Sequence, residues 1–196
     1  MKPRDIITAA RLTLNDKDAI HNSDLELLKY VNLAICECST LAPQLFYSTG
    51  DMLCSPGETE QGVVFADAQL VIEVIGIKDG PAILLGDMAT LSAFDPNWRQ
   101  RPAGIPENWF KHPLDPLRFY LSRKALPNQV IEVKYVRSPQ PVAIDDELTD
   151  LPPSMEPALV QYVIGMAEAK DAAHVNSGRA QAFLQAFVAK LNVKSA

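Results

Sequence analysis

The spacing of apolar residues changes period twice along the chain. From Pro3 to about Leu14, residues Ile6, Ile7, Ala10 and Leu14 share one helical side, and Pro3 suits a first helical turn. Ser23-Asp24-Leu25-Glu26 then forms a capping box, in which the Ser23 hydroxyl accepts from a first-turn amide and Glu26 reaches back. Behind it Leu27, Val31, Ala34, Cys38, Leu41 and Leu45 alternate steps of four and three, the seam of a bundle helix, widened by Leu28 and Ile35. Pro43 lacks a donor and constrains residue 42, so it should end the helix.

From about Gly50 the pattern is that of strands. Asp51–Ser55 and Gln61–Phe65 read as short strands around a Pro56-Gly57 turn, and Leu70–Ile77 is rich in β-branched residues. Asp79-Gly80 between that run and Ala82–Leu85 signals a hairpin. Asp87–Phe94 suits a short helix capped by Asp87. Leu117–Ser122 and Gln129–Val136 read as a further strand pair, with Ile131, Val133 and Tyr135 facing the core. The acidic, proline-rich Ser138–Pro153 reads as an extended return to helices.

The period then reverts. Ser154 is placed to cap a helix with Pro157 in its first turn. Leu159, Tyr162, Val163 and Met166 form one apolar stripe on it; Val160, Ile164 and Ala167 form a second, so it should be buried in two contacts, either at a bundle centre or between a bundle and a neighbouring subunit. Ala180, Phe183, Leu184, Phe187, Val188 and Leu191 make one face of a last helix. Helices at both ends and strands between predict an α+β fold: a helical bundle built from both termini (1–48 and 151–196) with an inserted antiparallel β module and its return linker (49–150).

Composition narrows the function. The 196 residues are 47% hydrophobic and 21% charged, ordinary for a globular chain, with no apolar run long enough to span a membrane and no signal-peptide core at the start. The net charge of −6 disfavours a free DNA-binding module, since phosphate binding needs clustered Lys and Arg. Cys36, Cys38 and Cys54 form no disulfide framework, and Cys36 and Cys38 lie about 200° apart around a helix, so they cannot grip one metal. The sequence carries no phosphate loop, nucleophile elbow or zinc-protease motif. Neither a metal nor a cofactor is expected.

Ala93–Leu121 concentrates both tryptophans, His112 and five of fifteen prolines. A hydrolase or transferase would use His112 with Asp115 as a general base, but the flanking Pro113 and Pro116 favour a turn. His21 and His174 have no evident partner. Asp145-Asp146-Glu147 lacks the alternation and glycine of a calcium loop and reads as a solvated linker. A regulatory DNA-binding protein would need a basic face from the scattered Arg99, Arg101, Lys111, Arg118 and Arg123. The stretch reads better as a strap packed on the β module, with Trp98 and Trp109 as candidate partner anchors. Arg99 and Arg101 are candidates for an intersubunit or other partner-facing salt-bridge patch against Asp145–Glu147, and Val160 and Ile164 for a subunit contact on the two-faced helix.

Over nearly its whole length the chain resembles the head–tail adaptor (connector) proteins of tailed bacteriophages. The matching stretches include RDIITAARLTLND, SDLELLKYVNLA, TGDM, LVIEVIGI, ATLSAFDPNW, NWFKHPLDPLRFYL, QVIEVKYVRSP and PALVQYVIGMAEAKDA. The resemblance implies a structural virion protein rather than an enzyme, with no cofactor and no membrane. It implies a ring, usually of twelve copies, assembled in the host cytoplasm at the head–tail interface. Its partners would be the portal and a tail or nozzle protein, with genomic DNA passing through the lumen without specific binding. The sequence departs from that pattern at Cys36 and Cys38, and its short C-terminus LNVKSA leaves little tail to insert into a portal.

Overall fold

In a computed structural model that describes residues 1–170 and 177–192, the chain is α+β. Its elements are α1 (Pro3–Leu14), α2 (Asp24–Leu41), β1 (Tyr47–Leu53), β2 (Glu60–Gly62), β3 (Ala68–Ile77), β4 (Leu84–Leu85), α3 (Met88–Phe94), β5 (Asn108–Lys111), β6 (Arg118–Leu121), β7 (Val130–Arg137), α4 (Glu156–Lys170) and α5 (Ser177–Asn192). They fall into two compact units, Met1–Phe46 with Pro139–Ala196, and Tyr47–Ser138. His174 and residues 193–196 lie outside the described residues.

In the first unit, the Ser23 hydroxyl accepts from the Glu26 amide at 3.2 Å, but the Glu26 carboxylate binds Tyr30 and Lys170 instead of reaching back, so the capping box is only half formed; α2 stops before Pro43. Leu27, Val31, Ala34 and Cys38 are fully buried, whereas Leu41 is 43% exposed, so the seam ends a turn early. α4 packs against α1, α2 and α5, so both of its stripes find partners within the chain. Gly165 lets α5 come close: a Cβ there would lie 2.9 Å from the Leu184 side chain and 3.3 Å from the Ala180 carbonyl oxygen. Ser154 sits inside a 3-10 turn, Pro153–Met155, that leads into α4, rather than at the position just before it.

Arg11 organises the α1–α2 connection. One of its nitrogens donates to Asp16 at 3.1 Å, and the other to the Asn22 carbonyl at 2.8 Å and to Asp24 at 2.7 Å. The Asp16 carboxylate also accepts the amides of Ile20, His21 and Asn22 at 2.8, 3.1 and 2.9 Å. Burial works to raise the Asp16 carboxyl, but the amide bonds from His21, Asn22 and Ile20 outweigh it and hold it below the usual range. The Asp16 carboxylate, paired with Arg11, therefore ties together the loop in which Asn15 and Ala19 take positive φ angles of 54° and 56°.

The second unit has two sheets, β1-β7-β3 and β2-β6-β5-β4. Ile131 and Val133 from β7, Met52, Val71 and Val74 from its neighbours, and Trp109, Phe119 and Leu121 from the other sheet form one apolar core. Each such side chain, fully buried, stabilises by about 1.5–3 kcal/mol. Three expectations are corrected here. The strands β6 and β7 are not a pair: β6 lies between β2 and β5, and β7 between β1 and β3. Their connection instead bonds back to residues 54–58, with the Gly57 amide on Ala125 and the Ala125 amide on Glu58. The turn at Asp79 (φ 57°) forms, but only Gly76 and Ala82 bridge across it; the chain then leaves to make β4 in the other sheet. The module is also not wholly antiparallel, because β4 runs parallel to β5 after the crossover through α3.

Residues 139–150, expected as the return linker that ends the inserted module, hydrogen-bond to helices. The Val142 amide donates to Asn32 at 2.8 Å, the Arg4 amide to the Ile144 carbonyl at 3.0 Å, and the Arg4 guanidinium to Asp145 at 2.7 Å. Asp145 is exposed yet paired.

Two outcomes follow. Arg11→Met should lower stability by about 3 kcal/mol by leaving buried acceptors unmatched, read as a shift in urea midpoint. Because the folded-state Asp16 carboxyl is depressed, its contribution is present above about pH 4 and is lost as pH falls through the lowered folded value. Asp16→Asn should therefore flatten the acid limb of a stability–pH curve.

Candidate partner interface

The strap builds a small aromatic cluster beside the main core. Trp98 lies 6.0 Å from both Phe110 and Tyr120, the latter edge-on, with Met88 and Leu91 of α3 packed alongside. The Asp87 carboxylate fixes α3 by accepting the Ala89 and Thr90 amides at 3.2 and 3.1 Å. Over this cluster the Arg99 guanidinium stands 5.2 Å from the Trp98 ring and 4.9 Å from Tyr120, a shared cation–π contact. His112 stacks near Tyr120 at 5.3 Å. Trp109 meets Phe119 edge-on at 6.3 Å inside the main core.

The candidate site residues are thus distributed rather than gathered. Trp98 and Trp109 are 3% and 2% exposed and Ile164 is 1% exposed, so all three are enclosed by their own chain and present no surface to a partner in this conformation. Val160 is half-buried on α4. Arg99 is exposed over the cluster, and Arg101 pairs with Asp95 at 2.7 Å. The large apolar groups that do face outward on this stretch are Phe94 at 88%, Leu114 at 89% and, less fully, Ile105 at 54% exposure. Periodicity could not single them out, since in a proline-rich loop it does not tell which apolar side chain points inward.

His112 and Asp115 do not meet as a general-base pair. The His112 Nδ1 accepts the backbone amides of Leu114 and Asp115 at 3.2 and 2.9 Å, and Asp115 accepts the Leu117 amide at 2.9 Å. The Asp115 carboxylate also faces Arg118 at 3.3 Å, and Arg118 binds Glu60 at 2.6 Å. Hydrogen bonding to Arg118 holds the Glu60 carboxyl below its usual range. The imidazole is a turn brace. Of the cysteines, Cys36 is exposed; burial, with Glu37 adding to it, pushes the Cys38 thiol up to about 12, and burial alone pushes Cys54 up to about 11. Buried thiols of that kind are poor nucleophiles. Among the described residues no group of three or more His, Cys, Asp or Glu is arranged to hold a metal, and no helix is long and apolar enough to cross a membrane.

A family model for the SU10 adaptor protein matches residues 1–196. The chain belongs to this family of phage head–tail adaptors. No curated protein matches the chain. The strap leaves Phe94 and Leu114 exposed, and holds the exposed Arg99 over the Trp98 and Tyr120 rings.

His112→Ala should lower stability by about 1 kcal/mol, because two turn amides lose their acceptor. The urea midpoint checks the size, and slowed hydrogen exchange at Leu114 and Asp115 should be lost with it.

Proposed function

We propose that this chain is a structural virion protein that forms a ring beneath the portal, joins the capsid to the tail and lets the genome pass during ejection. The observation that carries the reading is the family match along the entire chain. The ring would have twelve copies, assembled in the host cytoplasm and retained at the head–tail interface. One face would meet the portal and another the tail or nozzle protein. Helices from both termini would form the bundle of each copy, with the β module inserted between them.

The charge balance agrees with a conduit. A net charge of −6 keeps a lumen from gripping DNA, whose binding depends on cations replacing its counterions. Arg101 and Arg118 already face carboxylates of their own chain, which lowers what a basic face could offer to phosphates. Arg99 is the cation of the strap best placed to meet an acidic partner, because its rings hold it without neutralising it.

The mass of the protein in solution, alone and mixed with the portal protein of the same genome, tests this. A closed ring in either sample is expected; a species that stays small and ignores the portal would sink the reading. Phe94→Ser and Leu114→Ser should each leave stability within about 0.5 kcal/mol, being surface changes. If the strap faces a partner, at least one should weaken portal or tail binding in a pull-down titration.

A further inference from the structure

β1 is an open sheet edge seven residues long. Its pairing with β7 runs in unbroken register from Tyr47 opposite Val136 to Leu53 opposite Val130. The Cys54 amide donates to the Gln129 carbonyl at 2.9 Å, which makes the next position in that register a directly bonded pair. Such pairs recur at every second residue of an antiparallel ladder. Ser48, Gly50 and Met52 therefore turn their backbone groups toward β7, and Tyr47, Thr49, Asp51 and Leu53 turn theirs away. Among the described residues nothing in the chain bonds those outward groups.

The other edges are protected. β3 shifts register against β7 at three points. Its outer side is also covered by its own chain: the Val71 amide donates to the Pro116 carbonyl at 2.9 Å, the Ile77 amide to Pro81 at 3.0 Å, and the Ile83 amide to Ile75 at 3.2 Å. In the second sheet the end strands are only three and two residues long. Bulges, covers and short lengths are the usual guards against stray pairing. β1 has none of them, and its single charge, Asp51, is drawn to Lys78.

We propose that in the free protein β1 pairs antiparallel with β1 of a second copy, about a two-fold axis at Gly50. The strand's own pattern selects this occupant. With outward groups facing each other, Thr49 lies opposite Asp51 and Tyr47 opposite Leu53, each pair occurring twice. Gly50 faces Gly50 in the narrow, non-bonded site, where Cα atoms approach to about 4.5 Å. Tyr47 and Leu53, 39% and 62% exposed in the single chain, cover each other as aromatic–aliphatic cross-strand pairs. Sliding by one two-residue step in one direction opposes Asp51 to Asp51, a like-charge clash. Sliding the other way strands Leu53 beyond the end of its partner. A two-fold contact cannot close a cyclic ring, whose contacts are heterologous, so this pairing is distinct from the ring contact and does not rest on it.

Sedimentation of the full chain over a range of concentrations, with hydrogen exchange at both ends of that range, tests the pairing. A monomer–dimer equilibrium is expected, with the amides of Thr49, Asp51 and Leu53 slowed only at high concentration. Thr49→Pro removes an outward donor and spares the bonds to β7, so it should raise the dimer Kd at least tenfold. Leu53→Lys alters no backbone group and should act in the same direction, which separates lost pairing from a strained strand. A monomer at every concentration, or a dimer indifferent to both substitutions, overturns the proposal. So does protection of these amides that arises only when the portal or a tail protein is added, since the edge would then take a partner's strand.

Discussion

The second unit depends on β7. Its backbone is bonded on both sides, to β1 and to β3, and its Ile131 and Val133 are fully buried against Trp109, Phe119 and Leu121 of the other sheet. A strand held in two ladders and one core cannot slip by a residue without turning its apolar set to solvent. Its register therefore fixes where β1 and β3 lie. The crossing from β6 to β7, tied by Ala125 to Gly57 and Glu58, brings the second sheet over the same core.

That core decides what the strap can present. Trp109 and Phe119 are consumed in it, and Trp98, Phe110 and Tyr120 consume one another beside it. Outside it stand a guanidinium held over two rings and the apolar side chains of Phe94, Leu114 and Ile105. The one imidazole on the strap spends its Nδ1 lone pair on two backbone amides. For a member of a phage adaptor family this is consistent with work done by contact.

The helical unit uses charge where the strand unit uses apolar packing. Arg11 and Asp16, 8% and 4% exposed, hold a loop with two residues in the left-handed region, and their mutual bonds with Asn22 and Asp24 satisfy a buried cation and anion together. Buried pairs of this kind stabilise little net but cost heavily when half removed. Gly165, by contrast, acts through its missing side chain, letting α5 settle onto α4.

The sequence by itself determined the local elements. Ser23, Asp87 and Pro43 set helix ends through bonds within three residues or through a missing donor, and the alternation in β7 set which face is buried, because these depend only on near neighbours. The family resemblance was legible too, being a property of residue order. Only the tertiary structure decided which strands pair. Several strands with the same apolar alternation compete for the same ladders, and nothing local separates β6 beside β7 from β6 beside β2. Tertiary structure also decided that residues 139–150 bond to helices, that Trp98 and Trp109 face inward, and that Arg11, unremarkable in the sequence, binds four acceptor atoms on three residues. Each of these is a choice among alternatives of equal local propensity, settled by which arrangement closes the core and leaves the fewest buried polar groups unbonded.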